Sequence, residues 1–337
     1  MKKALYIITV IISILFVSSC SETNDFSSTD NINVSNINNY NAFLNSVDSI
    51  NNMYLSNVTT TRGKGFTNYV LDKKLDKIAD SGGSIVGGWI GKNVGLTLGC
   101  TFGNPVTGAL GYWGGRYVGR IVGGTAASFV ANRYKDVIRN FFRSPRRISN
   151  NDLCRQEYVP SFIPEGDSLN IADSLGYIHN QIMETLLSQE DKYINNGDLN
   201  YELIYNDCVV LAKQYGIEND TITDNSDFKN ETIVYAKEMA RLIYETSSDT
   251  TKLNTFYKDA AIKLEERNVP NETITLFKDY VTKVSLTCDN LSEEQQKKYA
   301  NDLLNTIDKS KLQPELKEEA SSTTNILVNS SIYWNKQ

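Results

Sequence analysis

Apolar residues recur at helical spacing along most of this chain, and the pattern changes character several times. Ala4 to Val17 is an unbroken apolar run behind Lys2 and Lys3. It is too short and wrongly flanked for a stable membrane span, and fits the hydrophobic region of an export signal. Ser21 to Asn41 is rich in Ser, Asn, Thr and Asp. That composition cannot bury enough apolar surface to fold and reads as a flexible tether. Phe43, Leu44, Val47, Ile50 and Tyr54 then mark a short amphipathic helix, broken by Thr59–Gly65; Tyr69, Val70, Leu75 and Ile78 begin another apolar set.

From Asp167 onward the period is helical throughout. Five stripes follow one another: Ile171, Leu175, Ile178, Ile182, Leu186; Leu199, Leu203, Val210, Leu211; Ile233, Val234, Ala240, Ile243; Leu253, Phe256, Ala260, Leu264; and Ile274, Phe277, Val281, Val284. Ser292-Glu293-Glu294-Gln295 is a capping box opening a sixth helix, with Tyr299, Leu303 and Ile307 inward. The fold class expected is all-α, with a helical bundle or short α-solenoid over 167–337.

Between Gly82 and Gly124 lie 15 of the chain's 21 glycines, and their order informs more than their number. Gly83, Gly87, Gly91, Gly95, Gly99 and Gly103 fall on every fourth residue. After Asn104-Pro105 the beat resumes at Gly111, Gly115, Gly119 and Gly123, and continues as Ala127 and Ala131. A spacing of four lays small residues along one helical stripe, where a second backbone can approach closely. Glycine costs ~1 kcal/mol relative to alanine inside a helix, so close packing must offset the loss. Gly103-Asn104-Pro105 interrupts the stripe, because proline restricts the residue before it. The expectation is a hairpin of two helices, roughly 81–101 and 106–134, packed through glycine faces.

That segment resembles the glycine-zipper hairpins of bacterial envelope lipoproteins, including the group typified by the rickettsial surface antigen. The resemblance covers residues 79–134 and does not extend into the C-terminal region. It implies association with the outer membrane and homo-oligomerisation. The residues themselves leave three arrangements open: a hairpin inserted in a bilayer, the seam of an oligomer, or a hairpin buried in the protein's own fold.

Charge refines the choice. Lys92 on the first arm lies about level with Arg116 on the second, and Arg120 sits one turn further from the tip. Each uncharged arm at the tip, about eleven residues, is ~16 Å long, near half of a ~30 Å hydrocarbon core. Shallow insertion or an oligomeric pore is compatible with these charges; a dry single span is not. Lys73, Lys74, Lys77, Arg133, Arg139 and Arg143 gather at the hairpin's base, where they form a collar for anionic head groups or pair with the acidic C-terminal region. Residues 72–147 carry +8 and residues 148–337 carry −14, inside a net charge of −6.

The apolar leader ends in Val17-Ser18-Ser19-Cys20, which resembles the lipobox of bacterial lipoproteins. The resemblance implies cleavage before Cys20, acyl chains on its thiol and amino group, and a membrane-lipid partner. Ser21 after that cysteine favours outer-membrane sorting. The expected organisation is therefore 1–19 signal peptide, 20–41 lipidated tether, 42–80 short amphipathic helices, 81–134 hairpin, 135–166 basic linker and 167–337 acidic all-α domain. Export makes nucleic acid an improbable partner; the sequence does not name a protein partner for the C-terminal region.

Cys100, Cys154, Cys208 and Cys288 remain after lipidation, without CxxC spacing, so no zinc or thioredoxin-type site is indicated. Export permits a disulfide among Cys154, Cys208 and Cys288. His179 is the single histidine and reads as structural or surface-lying. No GxSxG, HExxH or P-loop occurs. Asp220, Asp224 and Glu231 fall on a calcium-loop spacing, but Ile222 and Asn225 replace the third ligand and the turn glycine. Neither catalysis nor a cofactor is expected. The two functional readings carried forward are a hairpin assembled in or at the outer membrane and an antibacterial pore-forming toxin using the same hairpin. An interaction module with the hairpin packed inside is the third.

Overall fold

The computed structural model describes residues 34–56, 77, 79–93, 105–142, 162–164, 171–195, 198–217, 220–247 and 253–335. Among the described residues the fold is all-α apart from one two-stranded ribbon, Ile194–Asn195 (β1) against Asp198–Leu199 (β2). In chain order the helices are α1 (Val34–Ser56), α2 (79–93), α3 (Pro105–Phe142) and α4 (Ile171–Ser188). After the ribbon come α5 (Tyr201–Gln214), α6 (Asp220–Thr223), α7 (Ser226–Ser247) and α8 (Leu253–Glu265). A helix with a π-turn at Phe277–Val281 joins α9 (Asn271–Leu276) to α10 (Thr282–Cys288), and α11 (Glu293–Lys309) and α12 (Pro314–Trp334) follow.

The local signals explain several boundaries. Ser292 caps α11 by accepting from the Gln295 backbone N–H while the Gln295 side chain accepts from Ser292 N–H, which satisfies two orphan donors. Pro314 opens α12 at a position where its missing N–H costs nothing. Asn200 caps α5 by accepting from Leu203 N–H. Gly216 ends that helix at φ +75°, a conformation that disfavours any side chain.

Helix α12 is the hub. From Glu319 to Trp334 it is buried on all but one residue, although much of it reads Ser-Ser-Thr-Thr-Asn and Asn-Ser-Ser. A helix can be buried with such side chains only if neighbours come near enough for small groups to fill the space. They do. Gly176 of α4 presses its backbone against that of Asn325, so closely that a β-carbon there would overlap the Asn325 carbonyl. Asn180 donates to the Asn329 carbonyl at 3.0 Å, and Tyr333 donates to Glu184 at 2.7 Å. The Asn329 amide grips the extended chain before α4, accepting from Phe162 N–H at 2.6 Å and donating to its carbonyl at 2.9 Å.

Around this hub, α3 packs on α4, α5 and α7, and α1 lies along α10 and α11. Helix α1 is seated by Phe43 against Tyr280, by Tyr299 donating to Asn51 at 2.5 Å, and by Tyr54 donating to Asp302 at 2.7 Å. It begins at Val34, inside the stretch that composition assigned to the tether. Helices on both sides of residue 167 contribute to one hydrophobic core, which runs from Val86, Val122 and Phe129 through Leu175, Met239 and Phe277 to Leu327.

Candidate functional site

The residues singled out by the glycine beat and the flanking charges meet at the interface of α2, α3 and α12. Helices α2 and α3 run antiparallel with Gly83 opposite Gly123, Gly87 opposite Gly119 and Gly91 opposite Gly115. A β-carbon built on Gly87 would overlap the Gly119 carbonyl, and one on Gly115 would overlap the Gly91 carbonyl. On Gly83 it would come within 2.6 Å of the Ala127 side chain. Backbone therefore touches backbone along the whole described contact. Gly111 lies within α3, while Gly95, Gly99 and Gly103 lie outside the described residues.

Two further glycines make room for a partner's side chain. The stem of Arg120 crosses Gly88, whose added β-carbon would sit 2.8 Å from Arg120 Cγ. The Tyr235 hydroxyl fills the corresponding notch at Gly82. Their sequence signal was present but concealed: both fall one residue off the four-residue beat.

The charges placed near the hairpin face carboxylates of α12. Arg120 donates to Glu319 at 2.6 Å, and Arg116 reaches Glu319 at 2.8 Å and Glu318 at 3.2 Å. Lys92 lies 3.9 Å from Glu315 and over the Trp89 ring. Arg120 is 1% exposed and Arg116 4%, so these contacts are internal. Burial acts to raise the Glu319 carboxyl, but Arg120 and Arg116 outweigh it and hold the group below the usual carboxylate range. Glu318 goes the other way, because burial outweighs the same two arginines and lifts its carboxyl. Burial also lowers Lys92 and raises Tyr117. Removing one member of such a cluster leaves an uncompensated internal charge, which costs far more than the intact cluster contributes.

At the other end of α12 the polarity reverses. Asp80, fully buried, accepts from Ser330 and, at 3.0 Å, from Trp334 Nε1; His179 Nε2 lies 3.5 Å from its other oxygen. Lys77 donates to Asp289 at 2.6 Å and to Asn335 at 3.2 Å. Of the residues expected at head groups, Lys77 is thus 1% exposed and paired inside the protein. Arg133 pairs with Glu190. Lys73, Lys74 and Arg143 lie outside the described residues, as does the Arg139 side chain.

Other chemistry is sparse among the described residues. Cys208 and Cys288 are free, buried thiols; burial pushes Cys288 up to about 12 and Cys208 further in the same direction. They are therefore not bridged to each other, and Cys20, Cys100 and Cys154 lie outside the described residues. His179 has no exposed surface, and no group of three His, Cys, Asp or Glu that could hold a metal ion occurs among the described residues. No described helix is long and apolar enough to cross a membrane. Neither a family model nor a curated protein nor a solved structure matches the chain.

Proposed function

We propose that this chain is a non-enzymatic, lipid-anchored protein of the bacterial envelope, probed for partners by its helical body, with the glycine hairpin as an internal scaffold. The supporting observation is the destination of the hairpin's own recognition groups. Its described glycine faces are spent on each other, and Lys77, Lys92, Arg116 and Arg120 all face carboxylates of the same chain. Among the described residues, a hairpin so engaged keeps its glycine seam and these four cations inside the protein as long as it stays closed. The anchor in this reading is Cys20, with its acyl chains in the outer membrane.

The inserting or pore-forming reading draws on a different observation. Buried hydroxyls of Ser84, Thr125 and Ser128 on the hairpin, and of Ser322 and Thr323 on α12, have no hydrogen-bond partner among the described residues. Each such group costs about 1–3 kcal/mol, a cost that an arrangement pairing these hydroxyls would relieve.

Two measurements on cell envelopes and one on lipid vesicles test these readings. Replacing Cys20 by Ser should abolish palmitate labelling and release the protein from the membrane fraction; wild-type labelling in the variant would refute the anchor. Crosslinking of the wild type in native membranes should yield no higher ladder, and purified protein should leave dye-filled vesicles intact. A ladder together with dye release would transfer the hairpin to the inserting reading.

A further inference from the structure

Asp80 has no exposed surface and stands on α2 where that helix meets α4 and α12. One of its oxygens, Oδ2, accepts from the Ser330 hydroxyl and, at 3.0 Å, from Trp334 Nε1. The other, Oδ1, has no hydrogen-bond donor among the described residues and faces Nε2 of His179 at 3.5 Å.

The His179 ring is equally enclosed. The neighbouring Asn180 amide is oriented by its Nδ2, which donates to the Asn329 carbonyl at 3.0 Å, so its Oδ1 is the atom 3.3 Å from His179 Nδ1. Both ring nitrogens therefore face acceptor oxygens. A neutral imidazole carries one N–H and one lone pair, and either tautomer would set the lone pair against an oxygen; an imidazolium donates from both sides. Two donors on Oδ2 favour the ionised carboxylate, and a carboxylate so deeply buried needs a positive partner. The other cations around the pair are committed. Lys77, just before α2, is held by Asp289, and on α3 Arg116 and Arg120 meet Glu319 while Arg133 meets Glu190. The acids of the surrounding helices are engaged as well. Glu315 and Glu318 of α12 face Lys92 and Arg116, Glu184 of α4 accepts from Tyr333, and Asp207 of α5 accepts from Lys192 and Tyr193.

We infer that His179 is carried as an imidazolium and that its proton fastens the hairpin to the body. With the proton in place, α2 is paired through Asp80 to α4. Without it, a lone pair meets a buried carboxylate that has lost its countercharge, and α2 is released. A proton held more firmly by the folded chain than by the unfolded one stabilises the fold, and that gain fades as pH rises to the point where the folded ring gives it up. The fastener thus opens on the alkaline side. This inference rests on the reading of the hairpin as an internal scaffold and supplies the means by which that scaffold opens.

His179 is the single histidine, so selective 15N-histidine labelling gives one ring to read by NMR. The protein is the full mature chain with Cys20→Ser, in solution. At a pH where the urea-denatured chain shows a neutral ring, the folded chain should still show both nitrogens protonated. Asp80→Asn should return the folded ring to the neutral pattern. When the pH is raised until the wild-type ring turns neutral, amides of residues 79–93 should lose at least tenfold in protection against hydrogen exchange, corrected for intrinsic rates, while those of α11 keep theirs. His179→Gln should lack that pH-dependent step. A neutral ring in the folded wild type at the reference pH, or a ring that loses its proton while α2 stays protected, would overturn the inference. Should either variant fail to fold, these two wild-type readings decide alone. Failure here would leave the palmitate and crosslinking results untouched.

Discussion

Gly87 and Gly124 both lie in the hairpin, and a methyl group means something different at each. At Gly87 a β-carbon would strike the Gly119 carbonyl, which belongs to backbone and cannot turn aside. At Gly124 the nearest atoms are 3.3–3.5 Å away, close but nearly tolerable. Gly87→Ala should therefore lose about 1–3 kcal/mol or more through overpacking, despite the ~1 kcal/mol that alanine returns to a helix. Gly124→Ala should stay within about 1 kcal/mol of the wild type. Urea midpoints of the two variants check the contrast; equal losses would mean that the backbones do not meet at Gly87.

Glu318 and Glu319 are neighbours that respond to acid with opposite sign. Glu319 has its carboxyl held down, so its contribution is present above the ordinary carboxylate range and is lost as pH falls through its lowered value. Glu318 is lifted by burial, so its ionisation weighs against the fold and protonation relieves that cost. On acidification, stability should first hold or rise slightly, then fall. Glu318→Gln should remove the early plateau. Glu319→Gln should cost roughly 3–5 kcal/mol at neutral pH by taking from buried Arg120 its carboxylate at 2.6 Å and leaving Arg116 to Glu318, and should lose the late fall. Chemical denaturation repeated between pH 7 and pH 3 reads both.

At the scale of elements, legibility followed side-chain size. The stripe Ile274, Phe277, Val281 and Val284 is buried as its period implies, and the capping box at Ser292 forms. In α5 the expected face is turned: Ile204, Tyr205, Cys208 and Val209 are inside while Val210 is 53% exposed, because Tyr and Cys carry as much of the contact as aliphatic residues do. Helix α12 shows no clean apolar stripe. Beside Ile326, Leu327, Val328 and Ile332, its buried surface holds Ser, Thr, Asn and Ala, groups that belong inside only where another backbone comes close, and nothing in a single chain of letters announces the approach of α4 at Gly176. The same limit applies to the charged cluster. Arg116 and Arg120 are conspicuous as charges near the hairpin tip, whereas nothing in the run of acidic residues around Glu318 and Glu319 marks these two as their partners.

At the scale of the molecule, the basic middle and acidic end of the sequence are parts of one interior. A fragment beginning at Asp167 would keep α12 but lose the helices that face Glu318, Glu319 and Asp289. It would also uncover the side of α7 and α4 that α3 covers. Such a fragment should remain helical by circular dichroism yet melt broadly, without a cooperative transition, and adding residues 79–142 as a separate chain should sharpen it. A sharp, independent transition in the fragment alone would show that the hairpin is dispensable to the body.

The contact between Asp80 and Ser330 spans 250 positions of sequence, and that between Lys77 and Asn335 spans 258. A chain synthesised from its N-terminus emerges in order, so the glycine arms and their arginines arrive long before the helix that covers them. Closing loops of that length is slow because chain entropy must be spent before any distant contact forms. During the interval the nascent polypeptide displays close-packing surfaces and unpaired guanidinium groups to everything around it, including other copies of itself. Maturation of this protein should therefore depend on the speed of late synthesis, and slowing elongation shortly before residue 314 should increase misassembly more than the same pause placed before residue 79, when neither hairpin arm has been made.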